Sequence, residues 1–300
     1  MKRSLLDRAA WAVAGALAVA LIASLAGVAR GGQLDPPGPP ASTLPLVEPR
    51  TPIRQPASAA GFPIVISAPG SYYLAENITG VVGKDGIEVR ADSVTIDLNG
   101  FALTGVPGSG HGIWASDFVL LRALSIGHGA VQDWGADGIN GDNAHDGSYD
   151  DLRLDHNAGG GIRASGNSLI SHVVAAANGA HGILMNNWAG EGGIIRDSTA
   201  SLNDLDGIVV LGNTLVVDNN SFSNGDSAIH AYYSGSRIDS NNVSGAGTMP
   251  AINVEGSNNV IVRNSIRGVT ANVSIAAMNT VGPLENAFTP FSHPWANIVY

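Results

Sequence analysis

Short apolar runs alternate with polar and glycine-rich stretches along most of the chain. The pair Gly-Ile recurs through the middle of the sequence, with an apolar or small residue two positions after each isoleucine. The pairs begin at Gly86, Gly112, Gly138, Gly161, Gly182 and Gly207, with relaxed copies at Ala228 and Ala251. A second short run, rich in valine and isoleucine, lies between successive pairs. Such runs predict β-strands and leave no room for a helix of about ten residues.

The repeat has a period of 21 to 26 residues. This period is too short for a four-stranded propeller blade, and the leucine spacing of leucine-rich repeats is absent. In a coil of parallel strands, equivalent residues stack about 4.8 Å apart and must tolerate one another. The isoleucines would form an interior column of Ile87, Ile113, Ile139, Ile162, Ile183, Ile208, Ile229 and Ile252. Asparagine, which tolerates left-handed backbone at bends, would form two further columns: Asn157, Asn178, Asn203 and Asn224; and Asn99, Asn220, Asn241 and Asn264.

This periodicity resembles the right-handed parallel β-helix repeats of the pectin-lyase-like superfamily over about residues 86–270. The resemblance implies an all-β fold, a right-handed parallel β-helix (solenoid) of about eight coils. Both ends of such a stack expose strand edges and hydrophobic interior, so N- and C-terminal caps are expected. Residues 62–80 are expected to form a hairpin lid. Three C-terminal aromatic residues are expected to cover the last coil: Phe288, Phe291 and Trp295.

The N-terminal part of the chain differs from the repeats. Three basic residues within the first eight positions precede an uncharged, apolar stretch over residues 9–29. Residues 1–29 therefore predict a cleaved signal peptide or a membrane anchor, and a secreted, periplasmic or cell-surface location. Residues 30–60 are rich in proline and predict an extended linker. The β-helix domain with its caps is expected over residues 61–300.

The composition of the chain excludes some classes of partner and of catalytic site. Charged residues make up only 13% of the chain, and the net charge is −10. Nucleic acid is therefore not an expected partner, and membrane contact is expected only through an uncleaved N-terminal segment. The chain has no cysteine, which removes thiolate zinc sites and cysteine nucleophiles.

The densest polar stretch, residues 133–156, holds seven aspartates and two histidines. Such carboxylates suit a calcium ion or an acid and base acting on a sugar polymer; aspartate as a plain turn former is the alternative. The catalytic candidates are His145, Asp146, Asp150 and Asp151. His145-Asp146 resembles the His-Asp half of the Asp-Pro-His-Asp motif of mannuronan epimerases. Gly127-His128-Gly129 and Asp150-Asp151 resemble polygalacturonase motifs, in reversed order.

Two further sets of residues follow from the repeat. The residues just before successive Gly-Ile pairs include Asp85, His111 and Asp137, which would lie in one row as a metal site or as a ladder of turn residues. The strand positions that point outward include a polar and aromatic strip in the early coils. Together with the neighbouring aspartates, this strip predicts a carbohydrate groove made of Trp114, Asn140, Arg163 and Asp142.

Three functions remain open. The first is an exported, non-catalytic module that binds polysaccharide or a cell-envelope partner, because none of the catalytic motifs is complete. The second is a polysaccharide-active lyase, epimerase or hydrolase that uses the Asp/His cluster. The third is a structural or adhesive spacer. No cofactor is firmly implied, although Ca²⁺ is compatible with the cluster.

Overall fold

The structure, a computed structural model, describes residues 50–115, 120–187, 190–246, 249–268, 273–286 and 293–300. Strands dominate the described residues, which also contain one short 3₁₀ helix, Ala59–Gly61. The first sixteen strands are β1 Thr51–Ile53, β2 Ile64–Ile66, β3 Gly70–Leu74, β4 Ile78–Thr79, β5 Ile87–Val89, β6 Val94–Asp97, β7 Ala102–Thr104, β8 Ile113–Ala115, β9 Leu121–Arg122, β10 Ser125–Gln132, β11 Ile139–Gly141, β12 Ala144–His145, β13 Ser148–Asp155, β14 Ile162–Ser165, β15 Ser168–Ala176 and β16 Ile183–Asn186. The others are β17 Gly193–Arg196, β18 Thr199–Ser201, β19 Ile208–Val210, β20 Thr214–Val217, β21 Asn220–Phe222, β22 Ile229–Ala231, β23 Arg237–Asp239, β24 Asn242–Ser244, β25 Ile252–Val254, β26 Val260–Val262, β27 Ser265–Arg267, β28 Val273–Ile275, β29 Thr280–Val281, β30 Leu284–Asn286 and β31 Asn297–Val299.

The strands stack in register as the walls of a solenoid. One wall is a ten-stranded sheet in the order β2-β5-β8-β11-β14-β16-β19-β22-β25-β28, here called the narrow wall. The remaining walls form one bent 19-stranded sheet, here called the wide wall, and β9 pairs with β12. The strands of both walls pair in parallel with the equivalent strand of the next coil. The predicted parallel β-helix is therefore confirmed, with ten coils rather than eight.

The predicted isoleucine column lies inside the narrow wall. Successive isoleucines from Ile87 to Ile252 pair with one another, and all eight are fully buried. A second interior row, on the wide wall, holds Ile96, Ile126, Tyr149, Ile170, Ile195, Val216, Ile238 and Ile261. Both rows belong to the hydrophobic core, in which each coil supports its neighbours.

Asparagine side chains connect the coils at two bends. Asn157, Asn178, Asn203 and Asn224 form a buried ladder as predicted, each amide bonding to the next asparagine at 2.9 to 3.0 Å. In the second ladder two residues differ from the prediction. Asn99 is exposed and donates to Leu74 O at 3.3 Å instead of to another asparagine. Asn219, rather than Asn220, precedes Asn241 and Asn264, and Asn297 continues the ladder.

The ends differ from the predicted caps. Residues 62–80 form no hairpin, because β2 and β3 pair in parallel with β5 and β6 as part of the first coil. The linker predicted over residues 30–60 extends too far, because Thr51–Ile53 within it form β1 and pair with β3. Trp295 lies beside the last coils, where the guanidinium of Arg263 covers its ring at 5.3 Å.

Some predictions lie outside the described residues. These are the signal or anchor segment, most of the linker, Phe288 and Phe291. Within the described residues, no helix is long and apolar enough to cross a membrane.

Candidate functional site

One side of the wide wall carries two outward-pointing rows, here called the lateral face. The first row is Ser71, Thr95, Ser125, Ser148, Leu169, Ile194, Leu215, Arg237, Val260 and Thr280. The second row is Tyr73, Asp97, Gly127, Asp150, Ser171, Arg196, Val217, Asp239 and Val262. Hydroxyls and carboxylates therefore occupy the early coils, apolar residues the middle, and arginine with valine the late coils.

A cleft of about 350 Å³ opens on the early coils of the lateral face. Its floor includes the stacked hydroxyls of Ser71, Thr95, Ser125 and Ser148, and its rim includes Arg50, Asp97, His128 and Asp150. A second cleft of about 380 Å³ shares His128 with it and adds Asp151, Arg153 and His172. The two clefts together are called the Asp–His cleft below.

Each of two aspartates in this cleft pairs with a histidine of the next coil. Asp97 Oδ1 lies 3.3 Å from His128 Nδ1, and Asp150 Oδ1 lies 2.8 Å from His172 Nδ1. Both histidines have left-handed backbone, with φ of 61° and 53°, at the bend of the wide wall. Their side chains are more than half exposed, so a molecule in the cleft can reach them.

Both aspartates are held in the ionised form. Burial alone would raise the pKa of Asp97, but hydrogen bonds from the Asn99 backbone N–H, His128 and Arg50 bring it below its usual value. The Ser171 hydroxyl, 2.6 Å from Asp150 Oδ1, and His172 lower the pKa of Asp150. The cleft therefore offers two carboxylates as hydrogen-bond acceptors at neutral pH.

The four catalytic candidates fall into separate environments. Asp150 and Asp151 line the Asp–His cleft. Asp146 is exposed and pairs with Arg122 at 2.9 Å. His145 lies on β12, which pairs with β9, and among the described residues no hydrogen bond or ion pair joins it to Asp150 or Asp151. A single catalytic centre made of all four is not formed.

His145 instead connects two other side chains. Its Nδ1 lies 3.0 Å from Glu191 Oε1, and its Nε2 lies 3.3 Å from the hydroxyl of Ser165. The contacts follow the order of a Ser-His-carboxylate triad. Ser165 is only 1% exposed, however, so its hydroxyl is not open to a substrate. The contacts tie Glu191 to a coil two turns earlier.

The candidate metal ligands lie in one row, but they bond to backbone. Asp85 Oδ1 accepts the N–H of His111 at 2.6 Å, and Asp137 Oδ1 accepts the N–H of Gly160 at 2.7 Å. Between them, His111 Nδ1 accepts the N–H of Asp137 at 3.2 Å. Within the described residues, no group of three or more His, Asp or Glu side chains is arranged to hold a metal ion. The geometry supports the ladder of turn residues.

The candidate carbohydrate-binding residues do lie together. Trp114, Asn140 and Arg163 stand on adjacent coils of the narrow wall, half-buried, and Arg163 pairs with Asp142 at 2.7 Å. Farther along the same row Val209 is 1% exposed, so the chain itself covers this part of the row.

A buried histidine follows Val209 in that row. His230 Nδ1 lies 3.3 Å from Asp206, and its Nε2 lies 3.0 Å from Glu255. Burial alone would lower the pKa of His230, but the hydrogen bonds and charges of Asp206 and Glu255 raise it above its usual value. The folded protein therefore binds this proton more tightly than the unfolded chain does.

We expect this proton to make stability depend on pH. The contribution of His230 is complete below its unfolded pKa of about 6.5 and is lost as pH rises through the higher folded value. The melting temperature of the wild type, measured from pH 5 to 9, should therefore fall more over this window than that of His230→Gln. Parallel curves would contradict the assignment.

Asp97, His172 and the hydroxyl row were not among the residues predicted from the sequence. A signal was available, because the runs that contain VTID, LSIG, GSYD and SLIS align on the interior isoleucine or tyrosine. That alignment brings Asp97, Gly127, Asp150 and Ser171 into one column beside a column of small hydroxyl residues.

A family model described as a right handed beta helix region matches residues 66–222. The chain belongs to this family. The solenoid of this β-helix protein is similar to the A-module of the Azotobacter vinelandii mannuronan C-5 epimerase AlgE6, with 14% identity, 82% of this chain and 86% of that chain covered, and a TM-score of 0.56. It is also similar to the periplasmic alginate epimerase AlgG, with 12% identity, coverage of 78% and 69%, and a TM-score of 0.55. At such identities the likeness shows the fold alone. No curated protein matches the sequence significantly.

Proposed function

We propose that the protein is a non-catalytic β-helix module that binds polysaccharide in the Asp–His cleft. The observation that carries this proposal is the column of stacked hydroxyls beside two ionised aspartates. The hydroxyls of Ser71, Thr95, Ser125 and Ser148 have no hydrogen-bond partner among the described residues. Such groups, repeated at the spacing of the coils, suit the hydroxyls of a polymer that lies along the solenoid.

The carboxylates favour binding over hydrolysis. Glycoside hydrolysis needs one carboxyl group with a raised pKa to act as general acid. In the Asp–His cleft the pKa values of Asp97 and Asp150 are both lowered. The separation of His145 from Asp150 also argues against the enzyme alternative that uses the whole cluster. The open cleft, in turn, favours binding over a purely structural spacer.

The strip on the narrow wall is a secondary part of this proposal. Trp114, Asn140, Arg163 and Asp142 would contact the same or another carbohydrate chain. A location outside the cytoplasm is part of the proposal too, supported by the basic and apolar pattern of residues 1–29. A cell-envelope component is then the natural source of the polymer.

A binding assay with the full chain tests the proposal. We expect isothermal titration calorimetry to detect binding to a neutral member of a polysaccharide panel, whose hydroxyls can donate to the two aspartates. The panel also includes alginate, because the similar structures include alginate epimerases. His172→Ala and Asp150→Asn should weaken binding about tenfold, since each removes charge-assisted hydrogen bonds. Weaker binding of the polymer by Trp114→Ala would show that the strip on the narrow wall also contacts it.

His156 provides a matched control. It forms the same kind of pair with Asp155, at 3.1 Å, outside the Asp–His cleft. His156→Ala should therefore leave binding unchanged. Equal losses in His156→Ala and His172→Ala, or no binding to any polymer, would overturn the proposal. A change in chain length or uronate composition of the polymer would support the enzyme alternative instead.

A further inference from the structure

The late coils of the lateral face carry a second cavity, here called the Trp295 pocket. It encloses about 430 Å³ and lies four coils beyond Asp150 on the same face. Its walls are mostly apolar, with a few polar side chains among them. They comprise Arg237, Val260, Val262, Thr280, Val281, Gly282, Pro283, His293 and Trp295.

The indole of Trp295 is held by Arg263 and remains partly exposed. Its backbone carbonyl accepts the N–H of Arg263, whose guanidinium also covers the ring at 5.3 Å. Trp295 nevertheless remains 47% exposed. A fixed and half-exposed indole beside three valines is a flat apolar platform, suited to the face of a ring.

The polar groups of the pocket are donors. His293 Nδ1 accepts the backbone N–H of Trp295, so the neutral imidazole carries its proton on Nε2. Arg237 supplies a guanidinium and Thr280 a hydroxyl. The described residues that line this pocket include no carboxylate, in contrast to the Asp–His cleft.

A buried carboxylate beneath the pocket binds two arginines. Asp239 is 2% exposed and lies 2.7 Å from Arg237 Nη2. The same carboxylate also accepts two hydrogen bonds from Arg263, so two guanidiniums share one buried carboxylate. The next carboxylate, Asp218, acts on Arg263. Arg237, whose side chain is 40% exposed, is the guanidinium that lines the pocket.

We infer that the Trp295 pocket is a separate binding site for a ring-shaped molecule with a single carboxylate. The ring would lie against Trp295 and the valines, and the carboxylate would bond to Arg237 and to Nε2–H of His293. A sugar acid and an aromatic acid share this chemistry. The site does not depend on the Asp–His cleft, so either proposal can fail alone.

Titration calorimetry of the full chain with small probes tests this inference. The probes are glucuronate, benzoate and glucose. We expect at least one of the two acids to bind, and glucose to bind about tenfold more weakly or not at all, because it lacks the charge. Arg237→Gln and Trp295→Leu should each weaken acid binding by about tenfold. Which acid binds distinguishes a sugar ligand from an aromatic one.

Arg196 is the matched control. It lies on the same lateral face, its side chain is 41% exposed against 40% for Arg237, and it pairs with Asp197 at 2.7 Å, but it lines neither the Trp295 pocket nor the Asp–His cleft. Arg196→Gln should leave acid binding unchanged. The melting temperature of Arg237→Gln and of the conservative Arg237→Lys shows whether the fold survives. Failure of both acids to bind, equal affinity for glucose, or unchanged affinity in Arg237→Gln and Trp295→Leu would overturn the inference.

Discussion

Replacing Asn178 by alanine should destabilise the protein by about 4 kcal/mol, because it leaves several buried polar groups without partners at roughly 1–3 kcal/mol each. The Asn178 amide donates to Leu154 O at 3.0 Å and to Asn203 Oδ1 at 2.9 Å. Its Oδ1 accepts from both the backbone and the side chain of Asn157, at 3.1 and 3.0 Å. Asn178 is 1% exposed, so bulk water does not replace these bonds.

Urea unfolding followed by circular dichroism measures the loss. Because each coil contacts only its neighbours, hydrogen exchange should accelerate first in the strands next to the substitution, β13, β15 and β18. Asn178→Asp, which keeps the size but cannot donate, should be as harmful as alanine.

Asn242 is the control for this ladder. It bonds to Asn220 through its side chain, but it is exposed. Asn242→Ala should therefore change stability by no more than about 0.5 kcal/mol. If Asn178→Ala were as mild as Asn242→Ala, the buried ladder would not be a main source of stability.

The repeated part of the fold could be predicted because stacked coils favour the same residue type at equivalent positions. An interior isoleucine must fit the isoleucine above and below it, so the column from Ile87 to Ile252 is visible in the sequence. The first and last coils lack the Gly-Ile or Ala-Ile pair that marks the other coils. Ile64 follows proline and Val273 follows asparagine, yet both pair with the isoleucine of the adjacent coil. Eight coils were therefore predicted where ten exist.

The error at Asn219 has a similar origin. In TLVVDNN, two valines and two asparagines are adjacent, and the prediction placed Asn220 in the column. The structure has Val216 inside, paired with Ile238. A shift of one residue moves a strand position to the opposite face. The sequence alone does not decide between the two valines.

The candidate site was harder to predict than the fold. The many aspartates between residues 133 and 156 suggested a single catalytic centre. His145 and Asp150 lie on different strands, however, and contact different residues: His145 contacts Glu191, and Asp150 contacts His172. The groups that do meet come from different coils: Asp97 and His128 are 31 residues apart, and Asp150 and His172 are 22 apart. Their proximity depends on the register between coils, which periodicity gives only approximately.

Tyr149 and Gly141 provide the second prediction. Tyr149 takes a place in the interior row that isoleucine or valine fills in most other coils, and it is fully buried. Its hydroxyl reaches toward the narrow wall, where Gly141 occupies a position held by alanine in both adjacent coils, Ala115 and Ala164. A Cβ at position 141 would overlap the hydroxyl oxygen of Tyr149. The glycine is therefore needed for space.

Gly141→Ala should destabilise the protein by about 3 kcal/mol, the upper part of the usual range for an overpacked core. Tyr149→Phe alone should be neutral or stabilising by about 1 kcal/mol, because the Tyr149 hydroxyl is buried without a hydrogen-bond partner among the described residues. Burial and the charge of Asp142 also raise the pKa of Tyr149, which keeps the hydroxyl neutral.

The double variant Gly141→Ala/Tyr149→Phe distinguishes the clash from other effects of the alanine. The Tyr149 hydroxyl oxygen makes the shortest contact with the added Cβ, so its removal should restore most of the lost stability. Urea unfolding of the wild type, both single variants and the double variant gives the coupling energy, expected to be about 2 kcal/mol. Additive effects would mean that Gly141 is required for the backbone near Arg163 O, the next contact of the added Cβ, and not for the tyrosine.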